Sequence, residues 1–191
     1  LVKTFLIGII LGIVAAAGAL YAKPAVDQVR EISLVSVAAN GGNRENFRIN
    51  IPVDRVMIGA AGQSSGLPAG LEWPEDDILA TVSTEIFKVR NERDVIIGVA
   101  ARTVAVEDDS SVIDWVLHLP ARGSLFVSME PAAMEDGHRV GELRTGTEEF
   151  RSMTGFVAER WVSNTSDDED APDGRIELLA TYVSRVEEST E

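Results

Sequence analysis

Two patterns divide this chain. From Thr4 to Ala22 no charged residue occurs, and Lys3 and Lys23 bound the run. About 20 apolar residues in a helix are enough to cross a bilayer core of about 30 Å. After Pro24 a short polar stretch through Val29 reads as a stalk, and then alternation takes over. Ile113, Trp115, Leu117 and Leu119 alternate with Val112, Asp114, Val116 and His118. A period of two is the mark of a half-buried strand. The same alternation in other segments predicts strands near residues 29–37, 46–51, 79–90, 94–106, 112–119, 123–129, 139–145, 154–163 and 175–186. Turn residues separate them, including Asn40-Gly41-Gly42-Asn43, Ala121-Arg122-Gly123 and Glu135-Asp136-Gly137. Residues 59–77 and 164–174 read as long loops. No segment after residue 22 keeps a helical period over three turns. The expectation is an all-β domain, an eight- or nine-stranded antiparallel barrel, behind an N-terminal transmembrane helix.

The leader has two readings. One is a retained signal anchor over residues 1–22, followed by a stalk over 23–29 and the barrel over 30–191. The other is a cleaved signal peptide with Ala17-Gly18-Ala19 at the cleavage site. Both export the domain, and the expected location is the periplasmic side of a bacterial inner membrane, single-pass if the helix stays. Gly8, Gly12 and Ala16 form a small-residue stripe of the kind that lets membrane helices pack closely. That stripe implies a homo-oligomer or a membrane complex as partner.

Composition narrows the functions. The chain has 191 residues, a formal net charge of −14 and no cysteine. Such acidity repels nucleic acid, which is set aside as a partner, and the absence of thiols excludes cysteine catalysis. Two histidines far apart in sequence make no metal centre, and no cofactor motif is present. The run Asp167-Asp168-Glu169-Asp170 lacks calcium-loop spacing and reads as a solvated hairpin tip. Asp114 and His118 share a strand face, but it is the face opposite Trp115, so solvent is expected around them.

The second half resembles the barrel of dirigent proteins and allene oxide cyclases. The residues that carry the resemblance are Val95-Ile96-Ile97-Gly98, the strand Ile113–Leu119, the strand Gly123–Met129, and Gly146-Thr147-Glu148-Glu149-Phe150 running on to Gly155. The last segment follows the family's G-T-G-x-F-x-x-x-x-G frame. Glu148 stands where the family's second glycine is expected. Thr154 stands where many dirigent proteins carry an arginine credited with a catalytic role. The resemblance therefore implies the barrel, with Phe150 plugging one end, and no catalytic residue.

An eight-stranded barrel has room inside for packed side chains or one small ligand. The aromatic residues Trp115, Phe126, Phe156 and Tyr182 are the candidates to line it and to meet a small apolar ligand. Three functions follow: an exported accessory domain that binds such a ligand, an isomerase or cyclase of apolar substrates as the resemblance implies, or a structural subunit of a membrane complex.

Overall fold

The computed structural model describes residues 36–37, 42–107, 110–165 and 172–184. All of them belong to the second of two units, Leu1–Arg30 and Glu31–Glu191. The leader with Gly8, Gly12 and Ala16, the stalk, and the acidic run 167–170 lie outside the described residues. Among the described residues no helix is long and apolar enough to cross a membrane.

The strands are β1 (Ser36–Val37), β2 (Asn43–Ile51), β3 (Arg55–Ala60), β4 (Gln63–Ser65), β5 (Val82–Arg90), β6 (Ile96–Glu107), β7 (Ser110–Leu119), β8 (Gly123–Met129), β9 (Arg139–Gly146), β10 (Met153–Ser163) and β11 (Gly174–Ser184). Their order across the sheet is β1-β2-β11-β10-β9-β8-β7-β6-β5-β3-β4, and a further pairing joins β2 to β5. That pairing turns eight of them, β2 and β5 to β11, into a closed antiparallel barrel. Strands β5 to β8 follow one another through short turns, while residues 164–173, read in the sequence as a long loop, separate β10 from β11.

The segment 59–77 differs from the sequence expectation of one long loop. Its first residues complete β3 and form β4, a hairpin turning at Ala61-Gly62, where Gly62 has φ 71°. β3 pairs with β5. Its exposed Arg55 and Val56 and its partly buried Met57 and Ile58 give no period of two, so the strand carries no alternation to read.

The seam between β2 and β5 has one recorded backbone pair, Arg48 opposite Arg90. Asp54, in the bend between β2 and β3, reinforces it with every polar group it has. Its N–H donates to the Asn50 carbonyl (2.8 Å), and its own carbonyl accepts from the Lys88 N–H (2.8 Å). Its carboxylate, fully buried, accepts from the Asn50 N–H (2.8 Å) and from Nε and a terminal nitrogen of Arg90 (both 2.9 Å). The hydrogen bond to Asp54 raises the Arg90 pKa above its ordinary value.

The barrel interior is filled. Phe47, Ile49, Phe87, Trp115, Leu117, Leu119, Leu125 and Leu178 are at most 2 % exposed. An eight-stranded ring is just wide enough for side chains of this size. At one end Phe150 closes the ring, edge-on to Tyr182 at 5.9 Å. Gly146 and Gly155 are needed there for space: a Cβ on Gly146 would lie 2.5 Å from Phe150 Cβ, and one on Gly155 would fall 2.0 Å from the Thr181 carbonyl oxygen. Glu148 has φ 49°, a left-handed conformation that glycine takes at little cost.

Truncating Trp115 to Ala should cost about 3–5 kcal/mol, as large-to-small core changes do. Phe126→Ala, on the outer face of β8, should stay within about 0.5 kcal/mol of wild type; urea unfolding of the two variants checks the inward parity of Trp115 on β7 and the outward parity of Phe126 on β8. Asp54→Ala leaves Arg90 without its buried partner, and a loss of about 3 kcal/mol is expected in the same assay.

Candidate functional site at the mouth of the barrel

Charged side chains at inward positions collect at the end of the barrel opposite Phe150. Glu85 on β5 stands directly across from Arg102 on β6, and Arg102 across from Trp115 on β7. On the far wall Glu159 of β10 stands across from Arg139 of β9. The two walls meet through one hydrogen bond over the interior: Trp115 Nε1 donates to Glu159 Oε2 at 2.7 Å. Strands β7 and β10 are not neighbours, so this bond spans the ring. Arg139 donates to the other oxygen of Glu159 at 3.0 Å, and Arg55 of β3 pairs with Glu85 at 3.0 Å.

Three guanidiniums thus face two carboxylates, in a chain whose overall charge is strongly negative. Arg102 is the least satisfied of the three. Its distances to Glu85 and Glu159 are 3.8 and 3.7 Å, ion pairs beyond hydrogen-bond reach. Its Nε is buried and has no hydrogen-bond partner among the described residues. The guanidinium carbon sits 5.7 Å from the Trp115 ring centroid, a cation–π distance. Its side chain is 21 % exposed, so solvent or a ligand reaches it. An underbonded arginine on an aromatic floor is equipped to take an anion by a forked pair of hydrogen bonds.

The opposite end has the same ingredients in a closed arrangement. Arg122, from the β7–β8 turn, donates to both oxygens of Glu45 at 2.8 Å and to Glu149 at 3.0 Å. Its guanidinium lies 4.8 Å over the Phe150 ring. Burial acts to lower the Arg122 pKa, but the bonds to Glu45 and Glu149 outweigh it and the net shift is upward. Burial, with Glu45 beside it, pushes the Tyr182 phenol well above its ordinary value. This network is a plug.

The four aromatic candidates separate by parity. Trp115 and Tyr182 are inside, 1 % and 3 % exposed. Phe126 and Phe156 point outward, 36 % and 63 % exposed, and do not line the interior. Phe156 has opposite parity to Val157 and Glu159 on β10, and Phe126 opposite parity to Leu125 and Val127 on β8, so a barrel that buries one set must expose the other. His118 is exposed on the outer face, within 2.9 Å of Ser124 Oγ, and is not joined to Asp114. Arg102, Arg139, Glu85 and Glu159 were passed over in the sequence. Their signal was a charge standing in the inward parity of a strand, as Glu159 does between Val157 and Trp161.

On the outer wall, Glu177 of β11 lies between Arg160 of β10 and Arg48 of β2, each directly opposite it. Its oxygens accept from Arg160 Nε (2.8 Å) and Arg175 Nε (2.7 Å). A separate cleft of about 490 Å³ lies beside the β3–β4 hairpin, between Ala60, Gly62 and Ser64 on one side and Trp73, Glu75 and Asp77 on the other.

No family model and no curated protein matches the chain. Among solved structures it is similar to a pterocarpan synthase dirigent protein, with 13 % identity over 78 % of this chain and 86 % of that one, at a TM-score of 0.46.

Burial raises the pKa of Glu177, but Arg175 and Arg160 outweigh it and hold the carboxyl below its ordinary value. A carboxylate with a depressed folded-state pKa contributes stability above its unfolded pKa, and that stability is lost as pH falls through the folded value. Glu177→Gln should therefore unfold at lower urea than wild type near pH 7, and the gap should close as the pH drops below about 4.

Proposed function

We propose that this domain is an exported, membrane-held accessory barrel that binds a small organic anion at its open end. The ligand pairs a carboxylate with an apolar or aromatic body. The carboxylate meets Arg102, and the body stays at the mouth, because Trp115 beneath is 1 % exposed. The observation that carries this reading is the Arg102 guanidinium, mostly buried beside Trp115 and donating no hydrogen bond to the described residues. A buried donor left unmade is costly, and a carboxylate would satisfy two donors at once. The filled interior supports a ligand seated at the mouth over one that enters the barrel. Membrane attachment rests on the uncharged run Thr4–Ala22.

Binding is favoured over proton-transfer chemistry by the state of the two carboxylates. Both oxygens of Glu159 are engaged, by Trp115 and by Arg139, and Glu85 is held by Arg55. A general acid or base needs a group free to give or take a proton in reach of the reacting atom. An isomerase or cyclase would have to break one of these pairs first.

Titration calorimetry with 2-naphthoate and octanoate checks the reading, with 2-naphthamide and octanol as neutral counterparts. Saturable binding of the anions is expected, with none of the neutral pair. Arg102→Lys keeps the charge but loses the fork, and should weaken binding about tenfold or more. Equal binding by neutral and anionic ligands, or full affinity in Arg102→Lys, would overturn it.

A further inference from the structure

The cleft beside the β3–β4 hairpin has a chemistry of its own. Its walls come from two segments, the hairpin and the chain from Trp73 to Ala80. Its volume of about 490 Å³ falls in the range of small-molecule sites. No lysine, arginine or histidine lines it, while Glu75, Asp76 and Asp77 all do. Neither Glu75 nor Asp77 has an ion-pair partner among the described residues. The sign of any charge it accepts is therefore positive.

Trp73 gives the cleft an aromatic wall held in place. The benzo edge of the indole rests on the backbone of Gly59: a Cβ there would fall 2.3 Å from Cε3 and 2.5 Å from Cζ3. Only a residue without a side chain lets the ring lie so close. The indole Nε1 is buried and has no hydrogen-bond partner among the described residues. That nitrogen has no accessible surface, so what the indole offers the cleft is its carbon surface. Aromatic surface beside carboxylates is the combination that holds organic ammonium groups.

We propose that this cleft binds a small organic cation. Glu75 and Asp77 face the positive centre, and the Trp73 ring packs against its alkyl groups. The site is distinct from the barrel mouth, since it shares no residue with the Arg102 cluster.

The probe is choline, with 3,3-dimethylbutan-1-ol as its uncharged isostere, added to the full chain in a neutral maltoside detergent. The chain has three tryptophans and therefore three indole N–H signals in a nitrogen-15 spectrum. Choline is expected to shift the Trp73 signal saturably and leave that of Trp115, already bonded to Glu159, in place. The isostere should shift it at least tenfold less effectively. Glu75→Gln with Asp77→Asn should weaken choline about tenfold while the Trp115 signal stays put, which marks the fold as intact. Gly59→Ala, which pushes the indole off its seat without touching a charge, should also weaken it. A Trp73 signal unmoved by choline, moved equally by the isostere, or moved at full affinity in the charge-neutralised variant would overturn the proposal.

Discussion

Closure of the ring is the constraint on which the rest depends. Seven of the eight joints in this barrel are strand ladders, and the eighth, between β2 and β5, has one recorded backbone pair. A ladder that short cannot hold two strands by backbone hydrogen bonds alone. Asp54 supplies what is missing. Its amide, carbonyl and carboxylate reach Asn50, Lys88 and Arg90, and so tie the bend after β2 to β5. A fully buried carboxylate is tolerable only because each oxygen is satisfied and a guanidinium lies against it. Without this latch the sheet would have two open edges, and the inward face would lose its far wall.

Once the ring closes, the distribution of polar groups follows from its width. Eight strands enclose little more than a column of side chains, and Phe47, Phe87, Trp115 and the leucines fill its middle. Inward charges can exist only near the two ends, where partners or solvent reach them. The two ends solve this differently. At one, Arg122 is saturated by Glu45, Glu149 and the Phe150 ring, and nothing is left to offer. At the other, Glu159 is saturated but Arg102 is not. That asymmetry, more than any single residue type, separates a plug from a candidate binding site.

The outer wall carries its own order. Arg160, Glu177 and Arg48 sit directly opposite one another on three adjacent strands, so opposite charges meet across the ladder as cross-strand pairs do. This places a mostly buried carboxylate on the outside of a barrel, covered by the arginine stems. The sequence shows Glu177 as an ordinary polar position of the last strand.

Much of the fold was legible because alternation is a local signal. The strands from Val82 to Ser184 announced themselves, and strict parity along Ile113–Leu119 placed Trp115 inside. The G-T-x-x-F turn was legible too, since Gly146 is set by crowding against Phe150 four residues on, whereas Gly155 is crowded by Thr181 of the neighbouring strand. What stayed hidden was non-local. The β3–β4 hairpin has no alternation, so nothing in residues 55–65 distinguished it from a loop. Phe126 and Phe156 were grouped with Trp115 as aromatic, although parity along their own strands already set them on the outer face. The Arg102 cluster joins residues 85, 102, 115, 139 and 159, and the Trp115–Glu159 bond joins strands with two others between them. Sequence alone determined which residues alternate and where the chain turns. Only the tertiary structure decided which charges meet, because that depends on ring closure and register, and a register is a property of two strands, never of one.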